Sequence, residues 1–129
     1  MATRKPGTPW KNFSEAWTLA FAPDSKTVAT GDKEGVVRLW SIESGEIIHT
    51  LSGHADGVRA VTFTPDGKTL ASTGMDRTVR FWQVATGQEL LSFPDQPAFI
   101  NSLAFSPDGT ALAAAMHDGT IRVWRSPRG

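Results

Sequence analysis

Residues 53–82 read GHADGVRAVTFTPDGKTLASTGMDRTVRFW, and the pattern of this stretch recurs on both sides of it. A Phe-x-Pro-Asp motif returns every 42 residues, with its proline at Pro23, Pro65 and Pro107. An Arg-x-Trp motif keeps the same interval and ends at Trp40, Trp82 and Trp124. A constant period of this length indicates three tandem structural repeats that follow one another without insertion.

Within each copy the side chains alternate in polarity, as half-buried strands require. In the first copy Leu19 and Phe21 alternate with Thr18 and Ala20. The Pro-Asp-Gly or Pro-Asp-Ser segment that follows predicts a tight turn, because proline presets φ and glycine accepts positive φ. We therefore predict four short antiparallel strands in each of the first two copies, three in the third, and no helix. Phenylalanine of the first strand is predicted to be core in each copy, at Phe21, Phe63 and Phe105.

Four short strands in about 42 residues are typical of a propeller blade. Gly53-His54, Val58 to Phe63, Ser72, Asp76 and Trp82 together resemble the Gly-His to Trp-Asp unit of the WD-repeat family. The resemblance covers residues 16–125 and departs at the aspartate after each tryptophan, where Ser41, Gln83 and Arg125 stand. It implies an all-β fold of three propeller blades, divided into an N-terminal arm (1–15) and repeats at 16–57, 58–99 and 100–129.

The resemblance also implies a structural tetrad in the middle copy. In it the Trp82 indole binds Ser72, Ser72 binds His54, and His54 binds Asp76. The positions 42 residues before and after the tetrad carry different residues, so the tetrad is complete only in the middle copy. We therefore expect the outer blades to be less stable. The replacements are Asn12, Thr30, Glu34 and Trp40 in the first copy, and Gln96, Ala114, Asp118 and Trp124 in the third.

Serine, histidine and aspartate can also form a hydrolase triad. The tetrad leaves none of these groups free, so we expect no catalytic residue and no enzyme activity. His49, His54 and His117 occupy different places in the repeat, which argues against a metal site. We expect no cofactor.

Composition limits the partners. Lys plus Arg and Asp plus Glu both number 13, so the formal net charge is zero and nucleic acid is not an expected partner. The chain has no cysteine, which excludes disulfides and thiolate metal sites. It has no signal-peptide pattern and no membrane-length apolar run, so we expect no membrane partner and a cytoplasmic location by default.

By the resemblance, partners are proteins or peptides that bind the rim formed by the fourth-to-first and second-to-third strand connections. The residues carried onto this rim differ between copies, as an interface or drifting loops would show. The candidates are Trp17, Lys33, Arg59, Met75, Asn101 and His117. A repeated row of Arg38, Arg80 and Arg122 is interpreted as a solvated row on the blade surface.

Three blades do not close a ring, and the third copy lacks an outer strand of its own. The equivalent N-terminal stretch, Arg4 to Pro9, contains two prolines and a glycine and is a poor candidate for that strand. We expect either self-association of two or three chains into a closed ring, or a fragment of a longer propeller. An assembly domain appended to an effector such as a kinase, without a ligand of its own, is the alternative function.

Overall fold

A computed structural model describes residues 9–125, and these residues form eleven β-strands. Arg4 to Thr8, most of the stretch weighed as a possible outer strand, lie outside the described residues. The strands are β1 (Ala16–Phe21), β2 (Thr27–Asp32), β3 (Val36–Ser41), β4 (Ile47–Ser52), β5 (Val58–Phe63), β6 (Thr69–Gly74), β7 (Val79–Gln83), β8 (Glu89–Phe93), β9 (Ile100–Phe105), β10 (Ala111–Met116) and β11 (Ile121–Arg125).

The strands form three antiparallel meanders, each in sequence order. Blade 1 is β1-β2-β3-β4, blade 2 is β5-β6-β7-β8, and blade 3 is the three-stranded sheet β9-β10-β11. The predicted fold class, all-β with three propeller blades, is confirmed, and within residues 9–125 the last blade has three strands. Residues 9–125 contain no helix with the length and apolar character needed to cross a bilayer.

The Pro-Asp turns between the first and second strands form as the sequence predicts. In blade 2 the Gly67 N–H donates to the Thr64 carbonyl at 2.8 Å, and Gly67 has φ of +73°. The Asp66 carboxylate accepts a hydrogen bond from the N–H of Lys68 at 3.0 Å, so a side chain also stabilises the turn. Ser25 holds the glycine position in blade 1 and adopts φ of +61° without the freedom of glycine.

The core lies between blades and not within them. Each blade has a front face, directed toward the next blade along the chain, and a rear face, directed toward the preceding one. The front face of blade 1 packs on the rear face of blade 2 through Ala29, Val37, Leu39 and Leu51 against Val61, Phe63, Leu70 and Trp82. The equivalent contact between blades 2 and 3 joins Ala71, Val79, Phe81 and Phe93 to Leu103, Phe105, Leu112 and Trp124.

Within residues 9–125, two faces have no such neighbour. The rear face of blade 1 leaves Leu19 at 62 % and Phe21 at 66 % exposure, whereas the equivalent Phe63 is 7 % exposed. On the front face of blade 3, Ile121 is 75 % and Val123 is 47 % exposed. The prediction that Phe21 is a core residue is therefore wrong, because strand polarity sets the face of a side chain and only a neighbouring blade buries that face. Phe105 is half-buried.

Candidate functional site

The candidate rim is shaped by a β-bulge in the first strand of every blade. The ladder between β1 and β2 skips Trp17, that between β5 and β6 skips Arg59, and that between β9 and β10 skips Asn101. A bulge leaves one residue out of the pairing and redirects its side chain. The three skipped residues are the rim candidates of the first strands, so the backbone presents each of them in the same way.

A repeated backbone hydrogen bond ties the two connections of the rim together. The N–H of Lys33 donates to the Glu15 carbonyl at 2.9 Å, and that of Met75 donates to the Gly57 carbonyl at 2.8 Å. In blade 3 the N–H of His117 donates to the Phe99 carbonyl at 2.8 Å. Lys33, Met75 and His117 are thus held beside the first-strand bulge of their own blade. Lys33 and His117 are exposed, and Met75 is half-buried.

The structure brings Trp17, Arg59 and Asn101 together in one pocket of about 240 Å³. A guanidinium N–H of Arg59 donates to Asn101 Oδ1 at 2.9 Å, which joins blade 2 to blade 3. The Trp17 ring lies against Gly57, where any Cβ would overlap it, and this joins blade 1 to blade 2. The pocket is therefore fixed by all three blades.

Lys33, Met75 and His117 do not join this pocket. His117 instead lines a second notch of about 220 Å³ with Arg77 and Phe99. The Arg77 guanidinium lies 5.7 Å from the centre of the Phe99 ring, and the His117 ring is tilted against Phe99 at 6.2 Å. Phe99, which is not among the predicted rim candidates, is half-buried here and contacts both of these side chains.

The tetrad side chains of blade 2 form a continuous hydrogen-bonded row. Trp82 Nε1 donates to Ser72 Oγ at 2.8 Å, and Ser72 Oγ lies 2.8 Å from His54 Nε2. His54 Nδ1 lies 3.1 Å from Asp76 Oδ2, and the Asp76 carboxylate also accepts the N–H of Ala55 at 2.9 Å. The row ties the connection before β5 to the turn before β7.

Burial lowers the pKa of the His54 imidazole below its usual value, and the Asp76 carboxylate opposes this shift without reversing it. A neutral ring with its proton on Nδ1 satisfies both neighbours, since it donates to Asp76 and accepts from the Ser72 hydroxyl. Burial raises the pKa of Asp76, but hydrogen bonds from the Ala55 N–H and Thr78 and the contact with His54 outweigh it, so that pKa is lowered.

The spacing of Ser72, His54 and Asp76 is that of a nucleophile, its base and an orienting carboxylate. Ser72, however, is fully buried, and its oxygen already accepts the Trp82 indole N–H. A substrate carbonyl cannot reach Ser72 Oγ while this packing holds. Among residues 9–125 no three side chains of the metal-binding types are grouped to hold an ion.

Blade 1 ties the same two connections with different residues. Trp40 Nε1 donates to Thr30 Oγ1 at 2.9 Å, as Trp82 does to Ser72. Asn12, at the position of His54, donates instead to Asp32 Oδ2 at 3.0 Å, and Arg38 pairs with the same oxygen at 2.6 Å. Burial raises the pKa of Asp32, but hydrogen bonds from the Val36 N–H, Arg38 and Asn12 outweigh it and the pKa is lowered.

The interpretation of the arginine row as solvated is wrong for its first member. Arg38 is 8 % exposed, because the Asp32 carboxylate neutralises it and the Phe13 ring lies 5.0 Å from its guanidinium carbon. Arg80 is half-buried and pairs with Glu89 at 3.0 Å. Only Arg122 is exposed; it donates to Gln96 Oε1 at 3.4 Å.

Sequence reasoning missed three features: the bulges, Asp32 and Trp10. Asp32 is 1 % exposed and stands where the other copies have Gly74 and Met116, so the repeat gives no signal for it. Trp10 precedes the aligned repeats, and its ring stacks on Trp40 with centroids 5.6 Å apart. The presence of a tryptophan in the N-terminal arm was the indication of this contact that the sequence offered.

Comparison with known protein families accounts for this architecture. The model of the WD domain, G-beta repeat, matches residues 9–41, 45–83 and 87–125. The chain belongs to the WD-repeat family. These repeats identify a protein-interaction scaffold module.

Individual relatives match single stretches of the chain. Mitochondrial division protein 1 of Saccharomyces cerevisiae is 58 % identical over 31 residues, 24 % of this chain and 4 % of the relative. The probable serine/threonine-protein kinase PkwA of Thermomonospora curvata is 48 % identical over 46 residues, 36 % of this chain and 6 % of the relative. An uncharacterised WD repeat-containing protein of Nostoc is 41 % identical over 50 residues, 39 % of this chain and 3 % of the relative. The chain therefore matches only a small part of the length of these relatives.

Proposed function

We propose that this WD-repeat module binds a peptide segment of a partner protein in the rim pocket of Trp17, Arg59 and Asn101, and that it is not an enzyme. The observation that carries the proposal is the convergence of three bulged residues, one from each blade, in one pocket. Bulges are common next to functional sites because they direct a side chain out of the ladder. An aromatic, an arginine and an amide are side chains that anchor protein interfaces.

Arg59 gives the pocket a preference for acidic groups. Arginine has five N–H donors, and the bond to Asn101 engages the guanidinium through one nitrogen. Within residues 9–125 no carboxylate lies at ion-pair distance from Arg59. The remaining donors can bind an Asp or Glu side chain of the peptide in the paired geometry that suits a carboxylate. Trp17, 39 % exposed, offers an adjoining apolar surface.

The proposal is tested by selecting peptides from a random displayed library on the intact chain and measuring the affinity of enriched peptides by fluorescence anisotropy. We expect enrichment of peptides that contain an acidic residue. Arg59→Ala should weaken their binding about tenfold or more, as expected for a central interface anchor. Rising salt should weaken binding to the wild type more than binding to the variant, since the lost contact is ionic.

Lys68→Ala is the matched control, because Lys68 is an exposed cation of the Pro-Asp turn at the opposite rim. We expect this variant to bind as the wild type does. Enriched peptides that bind Arg59→Ala and the wild type equally, with the fold intact by circular dichroism, would show that the pocket is not the site. Failure to enrich any peptide would contradict the proposal as well.

A second candidate function is assembly, in which the chain completes a propeller by association or within a longer protein. Four exposed apolar residues on the two open faces favour it, since apolar patches of this kind mark interaction surfaces. The similarity to the kinase PkwA supports the variant in which the module is appended to an effector. The mass of the chain in solution, by light scattering, tests association: a mass above that of one chain supports it, and a single-chain mass at every concentration contradicts it.

A further inference from the structure

Trp10 covers the tryptophan of the third strand in blade 1, which in blades 2 and 3 is covered by the outer strand of the preceding blade. In blade 3 the Trp124 ring is covered by Phe93 of β8, stacked at 5.7 Å with an interplanar angle of 23°. In blade 2 the equivalent Trp82 shares a core with Leu51 of β4. In blade 1 the equivalent Trp40 is covered by Trp10, stacked at 5.6 Å and 16°. The rear face of blade 1 is thus already covered at its outer edge.

A second contact supports the equivalence. A Cβ added at Gly87 in blade 2 would meet the His49 ring of β4 at 3.1 Å. A Cβ added at the equivalent Gly45 in blade 1 would meet Trp10 Nε1 at 2.6 Å. Trp10 therefore fills the space that both His49 and Leu51 of an outer strand fill against the next blade. With Trp10 in place, Trp40 is only 4 % exposed although blade 1 is the first blade among residues 9–125.

The inner half of the same face is bare. Leu19 and Phe21 are exposed, whereas their counterparts in blade 2, Val61 and Phe63, are covered by the three inner strands of blade 1. What the rear face of blade 1 lacks is therefore a surface of three strands, with small and aliphatic side chains at the positions of Ala29, Val37 and Leu39.

The front face of blade 3 has this composition. Its sheet has three strands, and Ala113, Ile121 and Val123 stand at the positions of Ala29, Val37 and Leu39. The two open faces are thus the two halves of the contact that the chain already makes twice, between blades 1 and 2 and between blades 2 and 3. The equivalence fixes which face meets which.

We infer that the front face of blade 3 docks on the rear face of blade 1 of a second copy. Trp10 of that copy takes the place of an outer strand, which blade 3 does not have within residues 9–125. The inference rests on the second candidate function and specifies its contact. The contact is heterologous, because the two copies contribute different surfaces, and it buries Phe21 against Ile121 and Val123. Removal of these apolar side chains from water drives the association.

The test uses one charged substitution on each face. Phe21→Asp places a charge on the rear face of blade 1 and leaves the front face of blade 3 unchanged. Ile121→Asp places a charge on the front face of blade 3 and leaves the rear face of blade 1 unchanged. Both residues are exposed in the single chain, so neither change should disturb folding. By light scattering, the wild type should have a mass above one chain that rises with concentration. Each variant alone should have the mass of one chain, and their equimolar mixture should form a two-chain complex.

Leu90→Asp is the matched control, because Leu90 is 52 % exposed on the outer strand of the middle blade, away from both open faces. It should associate as the wild type does. Trp10→Ala should weaken wild-type association about tenfold or more, the loss expected for a large aromatic anchor.

Three results would overturn the inference while leaving assembly intact. A mixture of the two variants that stays at the single-chain mass would exclude the contact between front and rear faces. Association of either variant alone at wild-type strength would indicate a contact between identical faces. Wild-type association of Trp10→Ala would remove Trp10 from the contact. A wild type that stays a single chain at every concentration would overturn both this inference and self-association as the second candidate function.

Discussion

Phe63 in blade 2 and Phe21 in blade 1 hold the same position in the repeat but differ in environment. The first is 7 % exposed and the second 66 %. Their strands have the same partners, the same bulge and the same turn, so local sequence does not explain the difference. The difference in exposure arises because the front face of blade 1 packs on the rear face of blade 2, which includes Phe63. A residue in a repeat protein becomes core only where a neighbouring repeat lies against it.

The polar residues of the same two blades give a second comparison. Blade 2 joins its connections through a neutral histidine, a serine and a carboxylate, whereas blade 1 uses the ion pair of Arg38 and Asp32 with Asn12. Both arrangements pair the buried polar groups, which is the physical requirement. The two networks should differ in their response to pH, since only the one in blade 2 contains a histidine, and burial lowers the pKa of that histidine, His54.

The largest difference between the two blades should appear on truncation of the equivalent phenylalanines. Phe63→Ala removes a buried ring and should lower the free energy of unfolding by about 3 to 5 kcal/mol. Phe21→Ala removes an exposed ring and should cost less than about 1 kcal/mol at concentrations where the chain is single. Urea denaturation followed by tryptophan fluorescence measures both.

Phe63→Leu, which leaves a smaller cavity, keeps the comparison measurable if Phe63→Ala does not fold. Equal losses at positions 63 and 21 in the single chain would mean that the rear face of blade 1 is covered in solution by something other than a second copy. A loss at position 21 that grows with protein concentration would instead report the contact between copies.

A smaller effect is expected from breaking the tetrad. His54→Ala or Asp76→Ala leaves a polar partner unpaired and should destabilise the protein by about 1 to 3 kcal/mol. Because the two side chains contact each other, the double variant should lose less than the sum of the single losses. If both single variants melted at the same temperature as the wild type, the tetrad would not contribute to stability.

The smallest effect is a dependence of stability on pH in the mildly acidic range. The pKa of His54 is lowered in the folded chain, so the unfolded chain binds the proton more readily once the pH falls below the usual histidine value of 6.5. Stability should therefore be fully present above that pH and decline below it. The lowered pKa values of Asp76 and Asp32 add a further loss below their usual value of 3.8.

Urea midpoints measured across this range in the wild type and in His54→Ala separate the two contributions. The variant should lose the decline that starts near the histidine value and keep the one at lower pH. A wild type whose midpoint is constant down to the carboxylate range, or a variant with the same decline as the wild type, would contradict the assignment to His54.

The repeat interval and the alternation of polar and apolar residues predicted the strands, the turns and the number of blades, because these are local consequences of the sequence. Residues such as Phe21 and Arg38 were misjudged because their burial depends on a neighbouring blade and on Asp32, which lies outside the repeated pattern. Trp17, Arg59 and Asn101 were assigned to one rim because they hold the same position in the repeat. The bulges at these residues could not be predicted, since a bulge depends on how two strands pair.

The most direct test of the difference between blades is native-state hydrogen exchange in β2, β6 and β10 of the single chain. These are the second strands of the three blades, and each is paired on both edges. They differ in cover, because only β6 has a blade on both faces. We expect slower amide exchange in β6 than in β2 and β10. Equal exchange in the three strands, or slower exchange in β2 or β10, would contradict the claim that neighbouring blades set stability.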